Sequence, residues 1–273
     1  MKIKNKGIII LIIAVILIVV GLVIYFKSTS EPEDDGKDNH RDEFEIVESN
    51  YLERYYKRYK AYRKTHRNLS DDTIITYVNI GLDKKDYVDV EKTNIDDGIL
   101  MIVNKHYTIS EDYVPKTKEY GGMKAKLEES MVKDFDAMVK AGKKNEPPSE
   151  LFATRAYTTI SEQNAIYDMS VIDNGEEVTL KTVPKPGYSE YQTGLDVNIC
   201  GVSINFEQTR EYKFLAAHAY EYGFILRYPK DKEKITGFEY EPYHWRYVGK
   251  EAAKIIHDKD ITFEEYYATY VLK

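Results

Sequence analysis

The sequence predicts an α+β domain with a small antiparallel sheet flanked by helices, preceded by an N-terminal transmembrane helix and a stalk. Residues 7–26, GIIILIIAVILIVVGLVIYF, carry no charge, and as a helix they span roughly 30 Å of hydrocarbon. Beyond residue 68, segments of helix and strand type follow one another without the βαβ alternation of a parallel sheet. With 42% hydrophobic and 31% charged residues among 273, the chain can bury the core of one fair-sized domain.

The flanks of the apolar span predict its orientation. Three lysines precede it within residues 1–6, and an acidic run follows at residues 31–35. Positively charged flanks stay on the cytoplasmic side, so residues 1–6 are predicted to be a cytoplasmic N-terminus, residues 7–26 a cell-membrane anchor, and the rest extracytoplasmic. A cleaved signal peptide has a shorter apolar region and a small-residue cleavage site. Neither feature is seen in this sequence, which favours the anchor.

Two segments separate the anchor from the domain. Residues 27–42, KSTSEPEDDGKDNHRD, are too polar to offset their chain entropy and are predicted to be a flexible acidic stalk. Residues 43–68 place Leu52, Tyr55 and Tyr59 at helical spacing among arginines and lysines, which predicts a basic, Tyr-rich helix. Such a helix could contact anionic headgroups, but inward packing of its tyrosines is favoured because the acidic stalk lies between it and the bilayer.

The first half of the domain, which begins at residue 69, contains four expected elements. Ser70 offers an N-cap for a helix, and the apolar residues 98–103, GILMIV, are of strand type. Residues 123–142 have apolar positions three and four apart and end in glycine, which predicts an amphipathic helix. Residues 152–155 are expected to end a strand.

The second half contains further helices and strands with their own boundary signals. Glycine and proline mark several of the expected ends. The predicted elements are a helix at 161–171, a strand at 195–206 whose end at 203–207 is also consistent with a loop, a helix at 209–223, a strand at 224–228, a strand-like segment at 237–248 with a kink at Pro242, and a helix that begins at 262–267.

Charge and cysteine content exclude two classes of protein. The net charge of −7 gives no basic surface with which to neutralise phosphates, so no nucleic-acid partner is expected. Cys200 is the single cysteine of the sequence, and it cannot form an intramolecular disulfide. The stability of the domain is therefore expected to come from its hydrophobic core.

Seven segments between residues 69 and 273 carry a resemblance to a known family. In chain order they read TYVNIGLDKKDY, LMIVNKHYTISEDYVP, TRAY with Gln163 after it, PGYSEYQTGLDVNI, YGFILRYP, ITGFEYEPYHWRYVG and FEEYY. Together they resemble the VanY-type D-alanyl-D-alanine carboxypeptidases, which are zinc enzymes that trim the stem peptides of bacterial peptidoglycan. The resemblance implies a VanY-like carboxypeptidase domain at residues 69–273, with a D,D-peptidase/Hedgehog-like fold and a peptidoglycan stem peptide as its partner.

The resemblance also implies a zinc site, which this chain only partly retains. In the family, the stretch that matches residues 189–199 reads SEHQTGLAVDI, and its His and Asp bind zinc. This chain has Tyr191 and Asn198 at those two positions. The third ligand in the family is the His of a Glu-Pro-Trp-His stretch, whose Glu is the catalytic base. His244 matches that ligand and Glu241 matches the base.

The positions that face the substrate in the family are retained. Arg155 falls on the Arg of the family's Tyr-Arg-Ser-Tyr motif, which implies that it binds a substrate carboxylate or polarises the scissile carbonyl. Gln163 and Ser189 match substrate-binding positions. The resemblance thus implies that Arg155, Gln163 and Ser189 contact the peptide.

The residue types at the two changed positions are poor zinc ligands. A catalytic zinc needs three protein ligands of histidine or carboxylate type, whereas Asn198 offers a weak carbonyl oxygen and Tyr191 would first have to lose a proton whose pKa is about 10. Asp196 is a possible substitute, but along a strand it lies about 6.5 Å from Asn198. Zinc, expected for the family, is therefore predicted to be absent or weakly bound here.

Three functions follow from these observations. In the first, a zinc-free VanY-like protein anchored outside the cell still binds peptidoglycan stem peptides, with impaired or no catalysis. In the second, an active metallo-D,D-carboxypeptidase holds zinc through His244 and unusual partners such as Tyr191 or Asp196. In the third, an envelope scaffold protein uses the Tyr-rich helix, residues 52–67, as an interaction surface.

Overall fold

The computed structural model describes residues 40–200 and 205–273. The chain divides into two units, Met1–Glu43 and Phe44–Lys273. The described part of the first unit is a 3-10 turn at His40–Glu43. The predicted anchor at residues 7–26 and most of the predicted stalk lie outside the described residues. Within the described ranges, no helix combines the length and the apolar character needed to cross a membrane.

The second unit mixes helices and strands, as the sequence predicts. Its strands are β1 (Glu91–Lys92), β2 (Tyr107–Thr108), β3 (Thr117–Tyr120), β4 (Ala125–Glu128), β5 (Ala153–Arg155), β6 (Asp196–Ile199), β7 (Phe224–Leu226) and β8 (His244–Tyr247). Its helices are α1 (Tyr56–Thr65), α2 (Asp71–Asn79), α3 (Val132–Lys144), α4 (Ile160–Asn174), α5 (Glu176–Thr182), α6 (Arg210–His218), α7 (Glu233–Thr236), α8 (Lys250–Lys259) and α9 (Phe263–Tyr266).

A four-stranded sheet with the order β5-β6-β8-β7 forms the centre of this unit. All three strand pairs in it are antiparallel, which agrees with the predicted small antiparallel sheet. Two shorter pairs lie apart from it, the parallel pair β1-β2 and the antiparallel hairpin β3-β4.

The two faces of the central sheet differ in chemistry because side chains alternate along a strand. On one face, Val197 and Trp245 pack into a buried apolar cluster with Phe135 of α3. The opposite face carries the polar residues 196, 198, 244 and 246, all of which are also buried. Charged groups that are buried on one face of a sheet must be paired. This polar face is therefore the candidate location of a functional site.

The predicted helix at residues 43–68 is shorter in the structure. Residues 44–52 are irregular, a 3-10 turn spans Glu53–Tyr55, and α1 begins at Tyr56. Tyr59 is fully buried and donates a 2.6 Å hydrogen bond to Asn79 Oδ1. The tyrosines at 55 and 59 therefore pack inward, as the sequence favours.

Residues 98–103 do not form the predicted strand. A 3-10 segment spans Ile95–Leu100, and residues 101–103, which are buried, belong to none of the strands that residues 40–200 and 205–273 form. The Nη2 atom of Arg246 instead donates to the carbonyls of Ile99 and Met101 at 3.1 and 2.8 Å. An arginine side chain thus satisfies the backbone groups that a sheet would otherwise satisfy.

The predicted helix at residues 123–142 is a helix only in its second part. Its first part is β4, which pairs with β3 across a turn at Gly121, and α3 begins only at Val132. Gly121 adopts the left-handed φ of 68°, which glycine accepts without strain. The alternating burial of Ala125 and Leu127 fits a strand with one buried face, and the helical spacing of the sequence concealed it.

Elsewhere the boundaries move by a few residues. Ser70 accepts a hydrogen bond from Thr73 N and caps α2 as predicted. The strand predicted at 237–248 shortens to β8. The strand predicted at 195–206 contains β6, its residues 201–204 lie outside the described residues, and residues 206–208 form a 3-10 turn. The closing helix begins at Phe263 after a capping box formed by Thr262 and Glu265.

Candidate functional site

Three neighbouring strands bring the predicted site residues into one row. Arg155 of β5 is opposite Asn198 of β6, and Asn198 is opposite His244 of β8. The 3-10 turn Glu190–Thr193 supplies Tyr191 just before β6. This turn ends at Gly194, whose left-handed φ of 72° reverses the chain into the strand.

The row lines a cavity of about 160 Å³. All but one of the residues that the sequence singles out line it: Arg155, Gln163, Ser189, Tyr191, Asn198, Glu241 and His244. The exception is Asp196, which lies behind the ring of His244. The cavity wall also includes Tyr228, Phe238 and Tyr243, which the sequence analysis did not single out.

The Tyr191 hydroxyl lies between the two other positions of the implied zinc site. It donates a hydrogen bond to Asn198 Oδ1 and lies 3.2 Å from His244 Nδ1. Burial raises the pKa of this hydroxyl well above its ordinary value, and the Glu241 carboxylate adds to the shift. Tyr191 therefore stays a neutral phenol at physiological pH.

His244 lies between two carboxylates. Its Nδ1 is 2.7 Å from Glu241 Oε2 and its Nε2 is 3.0 Å from Asp196 Oδ1. Burial alone would lower the pKa of His244, but the hydrogen bonds to Asp196 and Glu241 outweigh it and raise the pKa to about 9. Both ring nitrogens thus donate, and the side chain is an imidazolium.

Asp196 belongs to a buried chain of alternating charges. Arg246 Nη1 lies 3.2 Å from Asp196 Oδ2 and 3.4 Å from Glu190 Oε1. Burial opposes ionisation of Asp196, but Arg246 and His244 outweigh it and hold the pKa of Asp196 below its ordinary value. Arg227 continues the chain, donating to Glu190 at 2.6 Å and to Glu264 at 2.5 Å.

These paired charges are the part of the site that sequence reasoning missed. Glu190, Arg227, Arg246 and Glu264 are each at most 2% exposed. The sequence carried a signal for Arg227 and Arg246, because charged residues within short apolar segments predicted as strands must find partners if they are buried. The partners themselves come from distant segments, so only the fold identifies them.

Arg155 is held from three sides at the edge of the cavity. Its Nε donates to Thr158 Oγ1 at 3.3 Å and its Nη2 to Gln163 Oε1 at 3.1 Å. Its guanidinium lies over the ring of Tyr191, 4.0 Å from the centroid. Within residues 40–200 and 205–273, Nη1 of Arg155 has no hydrogen-bond acceptor, which leaves a donor for a ligand.

Ser189 adds an unsatisfied group to the cavity wall. The residue is fully buried, and its Oγ has no hydrogen-bond partner among the described residues. Buried hydroxyls almost always have a partner. An unpartnered serine hydroxyl beside Arg155 is suited to a polar ligand.

The donor set does not fit the zinc that the resemblance implies. Within the described part of the chain, no group of three or more His, Cys, Asp or Glu side chains is placed to hold a metal ion. The Nδ1 atom of His244 faces Tyr191 and Glu241, whereas Asp196 contacts the opposite nitrogen. A metal bound at Nδ1 would therefore not have Asp196 as a ligand, which removes the geometric basis for that substitute.

Comparison with known proteins identifies a family whose members are similar to this chain. The family model described as D-alanyl-D-alanine carboxypeptidase (VanY) matches residues 124–250. The Bacillus subtilis protein YodJ is 40% identical over 190 residues, which cover 63% of this chain and 67% of YodJ. A D-alanyl-D-alanine carboxypeptidase of Enterococcus faecium is 31% identical over 182 residues, which cover 62% of this chain and 57% of that enzyme.

Solved structures give the same result. The LdcB LD-carboxypeptidase, whose structure is described as revealing the basis of peptidoglycan recognition, is 37% identical with a TM-score of 0.59, and the match covers 68% of this chain and 92% of LdcB. VanYB in complex with D-alanine-D-alanine is 29% identical with a TM-score of 0.57, covering 63% of this chain and 98% of VanYB. A VanY mutant in complex with Zn(II) is 29% identical with a TM-score of 0.55, covering 61% of this chain and 97% of that protein. By sequence and by fold, this chain belongs to the VanY D-alanyl-D-alanine carboxypeptidase family.

Proposed function

We propose that this protein binds peptidoglycan stem peptides by their terminal carboxylate and does not hydrolyse them with zinc. The observation that carries the proposal is the position of the Tyr191 hydroxyl. It bonds Asn198 Oδ1 and lies 3.2 Å from His244 Nδ1, so a neutral phenol fills the space between two of the three positions that hold zinc in the family. The residues that face the peptide remain.

Arg155 is the group that would bind the ligand carboxylate. A guanidinium presents parallel N–H donors that match the two oxygens of a carboxylate. Thr158 and Gln163 engage its Nε and Nη2 and leave Nη1 for the ligand. The hydroxyl of Ser189 would accept or donate the next hydrogen bond.

Turnover is not expected because none of the described side chains that line the cavity can activate water as a zinc ion would. Zinc lowers the pKa of its bound water to about 7. Glu241, which matches the catalytic base, is engaged by His244 Nδ1 at 2.7 Å. His244 is already protonated and has no free lone pair with which to take another proton.

The proposal includes a place for the protein. Residues 7–26 would anchor the chain in the cell membrane and residues 27–42 would form a stalk, which puts the domain outside the cell beside its ligand. Protease treatment of intact cells tests this placement. Digestion of the domain is expected, and full protection would contradict it.

Binding of two synthetic peptides to the purified full-length chain tests the function. One peptide ends in D-Ala-D-Ala and the other in a single D-Ala, because relatives carry D,D- and LD-carboxypeptidase names. We expect binding of at least one of them and, for Arg155→Ala, a loss of about tenfold or more, since a charge-assisted hydrogen bond contributes about 1.5–3 kcal/mol.

Arg58→Ala is the matched control. Arg58 also lies over a tyrosine ring, 4.3 Å from the centroid of Tyr55, and it pairs with Asp83 away from the cavity. Its loss should leave the peptide affinity unchanged. Equal binding by wild type and Arg155→Ala would refute the proposal, and zinc-dependent release of D-Ala would favour the active metallo-D,D-carboxypeptidase instead.

A further inference from the structure

Tyr191 makes two separate sets of contacts in the cavity wall. Its hydroxyl engages Asn198 and His244. Its ring faces the guanidinium of Arg155, with 4.0 Å between Cζ and the ring centroid. The side chain is only 5% exposed, so both sets of contacts are fixed by packing. A residue that had merely replaced a metal ligand would need only the first set.

The ring contact bears on how Arg155 can bind a ligand. A free arginine side chain has many rotamers, and a ligand that fixes it must offset the lost entropy. Thr158 and Gln163 restrain the guanidinium at its edges, at 3.3 and 3.1 Å, and the tyrosine ring restrains its plane. A cation over an aromatic face is also attracted by the ring quadrupole, more strongly where water is excluded.

The hydroxyl adds a further restraint to a ring that packing already holds in place. A buried phenol that donates to Asn198 cannot turn away without leaving Asn198 Oδ1 unpaired. His244 is in turn held on both sides by Glu241 and Asp196. The charged chain behind the cavity therefore supports the hydroxyl of Tyr191, while burial of the side chain holds the ring over Arg155.

We propose that Tyr191 is the positioning residue of a carboxylate-binding site, in which its hydroxyl occupies the space between Asn198 and His244 and its ring holds Arg155 in the conformation that receives the ligand. The inference rests on the proposed function, because it requires that Arg155 contact the ligand carboxylate. It adds the reason why a tyrosine stands at this position. The substitution that removes a metal ligand also builds an anion site.

The test distinguishes the effect of the Tyr191 ring from that of its hydroxyl. It also distinguishes loss of the contact between Arg155 and the ligand carboxylate from a general loss of stability. Two peptides are titrated into the full-length chain, one ending in D-Ala-D-Ala and the other identical but with a C-terminal amide. The measured quantity is the ratio of the two dissociation constants. A variant that only loosens the fold weakens both peptides alike, whereas misplacement of Arg155 weakens the acid alone.

Tyr191→Leu should lower the preference for the acid about fivefold or more, the size expected when a desolvated cation–π contact is lost. Tyr191→Phe keeps the ring, so it should retain the preference within about twofold although its melting temperature falls with the lost hydroxyl contacts. Tyr55→Leu is the matched control. It also removes a buried tyrosine that carries an arginine, Arg58, but far from the cavity, and its preference should equal that of wild type.

The outcomes distinguish the inference from the function on which it rests. A wild-type chain that binds acid and amide equally refutes the proposed function, and this inference with it. A wild-type chain that prefers the acid, together with a folded Tyr191→Leu that keeps the preference, refutes the inference alone. If Tyr191→Leu does not fold, Tyr191→Phe decides the matter, because loss of the preference in that variant would show that the ring does not position Arg155.

Discussion

Raising the pH should destabilise the fold through His244. The pKa of this residue is raised from 6.5 to about 9 in the folded protein, where Asp196 and Glu241 outweigh the effect of burial. A raised pKa means that the folded state binds the proton more tightly than the unfolded state. The resulting stabilisation is complete below pH 6.5, declines above it and is lost once the pH has passed 9. The difference corresponds to about 3 kcal/mol of unfolding free energy.

Denaturant unfolding of wild type and His244→Gln between pH 6 and pH 10 measures this effect. Other groups titrate in both proteins and cancel in the difference. We expect the advantage of the wild type to shrink by about 3 kcal/mol over that range. When the same comparison is made in chains that also carry Asp196→Asn, the stability that His244 contributes should decline less with pH. One of the two carboxylates that raise the pKa of His244 has then been removed. A wild-type advantage that stays constant from pH 6 to pH 10 would refute the imidazolium between two carboxylates.

Two further substitutions test the rest of the site. Tyr191→His combined with Asn198→Asp should restore zinc binding to about one equivalent, because Tyr191 already lies 3.2 Å from His244 Nδ1 and Asn198 is opposite His244 in the sheet. Metal analysis of the purified variant checks this, and a folded variant without zinc would show that the remaining geometry is wrong. Glu264→Gln should cost about 3–5 kcal/mol of unfolding free energy, since it leaves the buried Arg227 with one charged partner fewer. An unchanged denaturation midpoint would contradict that chain of charges.

The local sequence predicts most of the helices and strands whose boundaries depend on nearby residues. Ser70 and Thr262 cap helices as their residue types require, and the antiparallel sheet agrees with the lack of the βαβ alternation that a parallel sheet would show. The strand predicted at residues 98–103 was wrong, because an apolar run does not show whether a neighbouring strand is available to pair with it. The carbonyls of Ile99 and Met101 accept instead from Arg246, which lies more than 140 residues away in the chain.

The residues of the candidate site could be predicted from the sequence, but several of their contacts could not. Matching motifs identify Arg155, Gln163 and Ser189, and the structure brings them to one cavity. The relation of Tyr191 to Arg155 could not be predicted, because it depends on a turn and a strand that meet only in the folded sheet. The orientation of Asp196 toward the far nitrogen of His244 is likewise a product of strand register, which spacing along the chain does not give.

Peptide titration into the full-length chain with a chelator, and again with one equivalent of added zinc, tests the central claim most directly. The probe is the peptide ending in D-Ala-D-Ala, and released D-Ala is measured in parallel. A zinc-free carboxylate-binding site predicts the same dissociation constant under both conditions and no release of D-Ala. Release of D-Ala that requires zinc and stops with the chelator would contradict it.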